Sequence, residues 1–248
     1  MRRGAAALLL LLAAPAAAQD APRPALTAEL GADLIGVSTA FSGSELLVFG
    51  TTDRPIGRGG DGIVVSVVGR AEDLVVRRRV RRLGIWVNGP SARYRDVPHI
   101  YAVAATAPLR LLLDEDARFE SRLGLDVVTD RLSGPREAAF RDALRALKSG
   151  SGEWREDPEP IPVSGGRLFH ARLAIPSTVH TGEHRVAVLL VREGRVAARQ
   201  ELTLEVVRVG TAARVADVSR DLPLLYGAVC VALAALAGWL GSVLFRRG

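Results

Sequence analysis

The sequence predicts a mainly β protein, with immunoglobulin-like β-sandwich regions interrupted by a small α-helical insertion and followed by one C-terminal transmembrane helix. Three observations lead there. Short runs rich in Val, Ile and Leu recur between turn residues on both sides of a central stretch, at the spacing of an all-β sandwich. That central stretch, residues 106–150, changes to helical spacing. Residues 222–245 are an unbroken apolar run that reaches about 36 Å as a helix, enough to cross a hydrocarbon layer of ~30 Å.

The chain opens with Arg2 and Arg3, an Ala/Leu run and the small-x-small pattern Ala16-Ala17-Ala18, so residues 1–18 are predicted to be a signal peptide. An uncleaved second span is disfavoured because the apolar core is only about ten residues against the ~20 a span needs. With this signal the exported body is expected in the periplasm, tied to the inner (plasma) membrane by a single pass, with Arg246 and Arg247 of the tail 246–248 in the cytoplasm.

Residues 19–105 form the first β-rich region. Strands are expected over 33–38, 45–50, 62–69, 74–80, 84–88 and 100–104, with joints at Ser42-Gly43, the Gly57 to Gly62 run and Asn88-Gly89-Pro90. In the insertion, Pro108 opens a segment with Leu109, Leu112, Leu113, Phe119 and Leu123 at helical spacing. Pro135 opens a second helix whose Phe140, Ala143, Leu144 and Leu147 share a face and which Gly150 closes.

Residues 151–210 return to strands after a Gly/Pro-rich loop in which Trp154 is expected to pack down. Phe169, Ala171, Leu173 and Ile175 alternate with more polar neighbours, as do Val196, Ala198, Leu202, Leu204 and Val206 after a turn at Glu193-Gly194. This pattern resembles the C-terminal half of bacterial immunoglobulin-like domains. A juxtamembrane stalk, 211–221, then leads to the transmembrane helix, 222–245.

Charge narrows the partners. Without the four terminal arginines the chain carries 29 basic against 27 acidic residues, so the high pI does not indicate nucleic-acid binding. The one sharp feature is Arg77-Arg78-Arg79-Val80-Arg81-Arg82, which fits anionic lipid headgroups; the plainer reading is a solvated strand pair balanced by Glu72 and Asp73. Cys230, the single cysteine, lies in the span, so the body has no disulfide of its own.

No motif carries an enzymatic reading, and none calls for a cofactor. His180 and His184 are separated as a zinc-binding helix would separate them, but Gly182 puts them across a turn and a strand start. The Gly57 to Gly62 run precedes a strand, which makes it a flexible hairpin instead of a phosphate cradle. No Gly-x-Ser-x-Gly elbow occurs. The candidate interaction residues are Trp86, Asn88, His99 and Tyr101, polar or aromatic groups near strand ends, with core packing of Trp86 and Tyr101 as the alternative. In the span, Ala234, Gly238 and Ser242, beside Ala237 and Gly241, would let another helix approach closely.

Phe41-Ser42-Gly43-Ser44-Glu45-Leu46-Leu47-Val48-Phe49-Gly50, Gly84-Ile85-Trp86-Val87-Asn88, Val97-Pro98-His99-Ile100-Tyr101-Ala102-Val103 and Pro223-Leu224-Leu225-Tyr226-Gly227 resemble the alphaproteobacterial transmembrane family Alph_Pro_TM. The resemblance implies an exported domain with one C-terminal span, and transfers no catalytic residue. It also implies a polytopic membrane transporter of the TauE/SafE type as partner, by association. The function expected is that of an accessory or interaction module for a membrane partner; the alternative is a tethered periplasmic domain that binds an anion or small molecule.

Overall fold

The computed structural model describes residues 24–57, 60–155, 157–210 and 219–245. The expected signal peptide, most of the stalk and the cytoplasmic tail lie outside them. The body is mostly β, with a helical insertion, and one apolar helix follows at the C-terminal end.

Four strands, β1 (Leu26–Leu30), β3 (Ser44–Thr52), β9 (Val163–Ser164) and β10 (Leu168–Ile175), make one sheet in the order β1-β3-β10-β9. Six make the second, in the order β2-β12-β11-β4-β7-β8: β2 (Leu34–Val37), β4 (Gly62–Val68), β7 (Tyr101–Ala105), β8 (Glu159–Pro160), β11 (Gly182–Arg192) and β12 (Arg195–Arg208). Both sheets combine strands from before and after the helical insertion. β10 pairs with β3 from Leu168 opposite Thr51 to Ile175 opposite Ser44, and β11 pairs with β4. The two β regions of the sequence are therefore halves of one sandwich.

The alternation read from the sequence sets which side chains meet. Phe169, Ala171, Leu173 and Ile175 turn inward with Leu46 and Val48 and face Ile63, Val65, Val67, Val186, Val188 and Leu190 of the second sheet. Gly50 is required here: a Cβ on it would stand 2.3 Å from the Thr27 carbonyl oxygen and 2.6 Å from the Phe169 ring. The other face of β4, β7 and β11 is also covered. Val64, Tyr101, Val103, Ala105, Leu189 and Val191 pack beneath the helices, which is why these strands are continuously apolar where the outer ones alternate.

The covering layer is built from α1 (Leu109–Leu112), α2 (Glu115–Glu120), α3 (Leu125–Asp130) and α4 (Ala138–Gly150). The single helix expected from Leu109 to Leu123 is thus broken. Leu113 leaves helical geometry to bridge to Gly194, and the Asp114 amide donates to the Gly194 carbonyl at 2.9 Å. Phe119 is half-exposed, under the Arg131 guanidinium at 4.8 Å from its ring centre. In α4 the buried stripe is Phe140, Leu144 and Lys148, whereas Leu147 is exposed.

The remaining strands, β5 (Ala71–Arg82) and β6 (Ile85–Pro98), form a long hairpin. Asn88-Gly89-Pro90, expected as a joint, lies inside β6. Arg77 pairs with Ser91 and Arg79 with Asn88, so Gly89 and Pro90 together oppose Arg78 in a bulge, where a residue lacking an N–H is tolerated. The turn is Leu83-Gly84, with φ of 49° and 82°. The Gly57 to Gly62 run is likewise no hairpin, because it carries the chain from β3 in one sheet to β4 in the other. Within it, Asp61 is buried and receives Arg192 Nε at 2.9 Å.

The last helix, α5 (Pro223–Phe245), is apolar through Pro223–Ser242, and that stretch makes no contact that buries it.

Candidate functional site

A cluster of buried and half-buried polar residues gathers around the only lysine of the chain. Lys148 occupies the third position of the α4 stripe, so the repeat that buries Phe140 and Leu144 buries an ammonium as well; the residue is 6% exposed. Gly152, at φ +73°, reverses the chain so that the Glu153 and Trp154 amides both donate to the Lys148 carbonyl at 3.0 Å. This brings Glu153 back beneath the side chain it follows. Glu72, near the root of β5, approaches from the other direction.

Lys148 Nζ donates to Glu72 Oε1 and Glu153 Oε2, each at 2.6 Å, and to the His99 carbonyl at 3.3 Å. All three donors of the ammonium are thereby used. His99, 3% exposed in the link between β6 and β7, completes the cluster. Its Nε2 lies 2.8 Å from the Thr178 carbonyl and its Nδ1 3.3 Å from Glu72 Oε1, both of them acceptors. The His180 ring stacks on it, with centres 3.5 Å apart and planes 9° from parallel. His184 donates from Nε2 to the His180 carbonyl at 2.8 Å, while its buried Nδ1 has no partner among the described residues.

The charges set the protonation states. Burial pushes the Glu72 carboxyl up, but the Lys148 ammonium and the His99 ring outweigh it and hold it below the usual range. Burial and the neighbouring His99 push the exposed His180 down. Burial also pushes His184 down, against the opposing pull of the His180 carbonyl. Depressed folded-state values mean that the unfolded chain binds more protons, so stability is lost as the pH is lowered. The thermal midpoint of the full chain is expected to hold steady above pH ~6.5 and drop below it as the two histidines charge, then drop again as Glu72 protonates. A midpoint that rises on acidification would contradict the arrangement.

Could the cluster hold a metal? Glu72, His99 and His180 offer ligand atoms within 4.8 Å of one another. The fit is nevertheless poor. Two imidazoles stacked in parallel planes direct their in-plane lone pairs side by side, not onto one point, and Glu72 Oε1 already holds a cation at 2.6 Å.

Above the cluster opens a cleft of about 510 Å³, lined by Arg70, Glu72, His180 and Arg208 among others. It is the polar, accessible surface of an otherwise closed network.

Of the candidate interaction residues Trp86, Asn88, His99 and Tyr101, His99 alone belongs to this cluster. Tyr101 is core: its hydroxyl accepts from the Gly124 amide at 2.8 Å and donates to the Arg122 carbonyl at 3.4 Å, and burial pushes the phenol up. Trp86 is 67% exposed and so is not packed in the core; Asn88 is exposed on the same hairpin. Gly238 and Gly241 lie on α5 with open space around them. Sequence reasoning gave Lys148 and Glu153 no role, read Glu72 as a counter-charge for the arginine run, and weighed His180 only as a zinc ligand beside His184. One signal pointed to them: a single lysine among 33 basic residues, four positions beyond an apolar Leu on a helical stripe.

A family model described as "Putative transmembrane protein (Alph_Pro_TM)" matches residues 25–247. The chain belongs to the Alph_Pro_TM family. The match runs through the sandwich, the hairpin and α5 alike, so in this Alph_Pro_TM protein the body and the apolar helix are one unit of sequence. No curated protein matches the chain.

Proposed function

We propose that this Alph_Pro_TM protein is a non-enzymatic, single-pass inner-membrane protein whose periplasmic sandwich serves as the accessory module of a polytopic membrane partner, such as a TauE/SafE-like exporter. The observation that carries this reading is α5. It is apolar from end to end, and its small residues Ala234, Gly238 and Ser242 recur every four positions, with open space where a Cβ on Gly238 or Gly241 would stand. Small residues so spaced let helices pack closely where lipid supplies no hydrophobic drive. The ion pairs that tie Lys148 to both Glu72 and Glu153 support a structural cluster over a catalytic one.

Affinity purification of the tagged chain from detergent-solubilised membranes, followed by mass spectrometry, is expected to recover a polytopic protein in stoichiometric amount. Gly238→Leu with Gly241→Leu should lose it while leaving the unfolding midpoint of the body unchanged. Recovery of the tagged chain alone would sink the accessory role.

One observation favours a second reading, a tethered domain that binds a small anion. Arg70 and Arg208 both line the cleft beside His180, and neither has a carboxylate partner among the described residues. If the cleft is such a site, sulfate at tenfold its dissociation constant raises the midpoint by roughly 3–6 °C over chloride at equal ionic strength. Arg70→Gln with Arg208→Gln abolishes the rise. Identical midpoints in the two salts would leave the accessory reading alone.

A further inference from the structure

The hairpin of β5 and β6 has a base and an arm. Val76, Ala92, Tyr94 and Val97 of the base are buried in the helical layer. Beyond Val76 and Ala92 no residue is buried, and the free part, residues 77–91, extends roughly 20 Å at ~3.3 Å per residue. Its end is apolar: Leu83 is 103% exposed, Ile85 64% and Trp86 67%. Such a concentration of large apolar groups at the tip of a projecting element is not explained by packing within the chain.

Backbone conformation sharpens the point. Leu83 takes the first central position of a two-residue turn at φ 49°, a place that favours Asn, Asp or Gly. A leucine there accepts a left-handed backbone and full exposure together, and the chain carries both costs at the one position where a side chain reaches furthest outward.

Behind the tip stand Arg77, Arg78, Arg79, Arg81 and Arg82, and residues 77–91 include no acid. None of the five forms an ion pair among the described residues; Arg81 Nε donates to the Gly84 carbonyl at 3.3 Å. The acids that the sequence suggested as counter-charges lie at the root, where Glu72 is bound to Lys148. Arg81 pairs across the strands with Trp86, and Arg82 with Ile85, so each guanidinium sits beside an apolar neighbour. The root also lies beside the end of β12: Ala71, the first residue of β5, and Arg208, the last of β12, line the same cleft.

We propose that the arm is a lipid-binding element, its Leu83, Ile85 and Trp86 tip entering the interface of an anionic bilayer while the five arginines hold headgroup phosphates. Apolar and aromatic side chains partition at the headgroup boundary, and a basic cluster beside them draws anionic lipid. A protein groove could take the apolar tip, but five unpaired arginines with no intervening acid fit a surface of repeated negative charge. The proposal rests on α5 spanning a bilayer and needs no protein partner.

The test uses the full chain with Cys230→Ser and Leu83→Cys, carrying an environment-sensitive fluorophore at position 83. It is reconstituted in phosphatidylcholine vesicles with or without one-third phosphatidylglycerol. Parallel labels at Glu115→Cys, exposed on α2, and at Gly238→Cys, within α5, report solvent and membrane interior. In the anionic vesicles the label at 83 is expected to shift to the blue and be quenched by spin-labelled lipid at least fivefold more than the label at 115. Pure phosphatidylcholine, or replacement of the five arginines by Gln, should remove most of that quenching.

Quenching at 238 with none at 83 overturns the arm alone. Absence of quenching at 238 removes the single-span reading and the arm proposal with it. A label at 83 that is open to water in these vesicles but shielded in native membranes places the tip on a protein, and equal quenching in both lipids removes the arginines' role; either result overturns the proposal.

Discussion

Replacing Lys148 by Met is expected to destabilise the body by about 3–5 kcal/mol at pH 7, because it leaves two carboxylates facing each other in a site from which water is largely removed. The volume changes little, so the loss reports charge. Glu72 Oε1 and Glu153 Oε2 each lie 2.6 Å from the ammonium, and the side chains of Lys148, Glu72 and Glu153 are 7%, 23% and 14% exposed. With the cation gone, one carboxyl of the pair must titrate upward. A raised folded-state value adds stability as pH falls, so the gap between variant and parent should narrow on acidification, opposite to the trend that the depressed Glu72 gives the parent. Adding Glu72→Gln and Glu153→Gln to Lys148→Met should recover most of the loss, since a neutral network of the same shape has no charge to strand. Thermal unfolding of the detergent-solubilised chain from pH 8 to 4 reads all three effects. A gap that stays constant with pH would mean that Lys148 acts through packing alone.

Trp154→Ala should cost a similar amount, about 3–5 kcal/mol, by emptying the space of a large side chain that is 1% exposed. The residue joins the site to the fold. Its Nε1 donates to the Pro98 carbonyl at 2.9 Å, its amide donates to the Lys148 carbonyl, and its backbone bridges to Tyr101 of β7. Trp154→Phe refills most of the volume but leaves the Pro98 carbonyl unpaired, so about 1–3 kcal/mol of the loss should remain. Because Glu153 is held by the same chain reversal, Trp154→Ala should also weaken the Lys148 cluster and flatten the acid-side drop in stability. Denaturant unfolding of the two variants side by side separates cavity from hydrogen bond. Equal losses for Ala and Phe would show that the ring itself contributes nothing.

Much of the fold was legible in the chain because it rests on local repetition. The inward row of β10, the turn at Glu193-Gly194 and the apolar length of α5 are each contained in one contiguous segment, and their period or length follows from backbone geometry. The breaks in that reading have local causes that a periodicity cannot reveal. Leu113 stops a helix because Gly194 offers its backbone a partner from far along the sequence, and Pro90 stays within a strand because Arg78 opposite allows a bulge.

The candidate site is the harder case. Glu72, His99, Lys148, Glu153 and His180 come from the arm's root, a strand link, the end of a helix, the loop after it and the β10–β11 connection. In sequence Glu72 looks like a counter-charge for the arginines that follow it, and Lys148 like an ordinary end of a helix.

By itself, then, the sequence determined a β-rich body, the helical insertion and an apolar span, since alternation, helical repeat and hydrophobic length are properties of neighbours along the chain. Only the tertiary structure decided that the two β regions interleave, that the arginine run ends in an apolar tip, and that the sole lysine is buried between two carboxylates. A charge can leave water only where its counter-charges arrive with it, and segments this far apart meet only once the sandwich has closed.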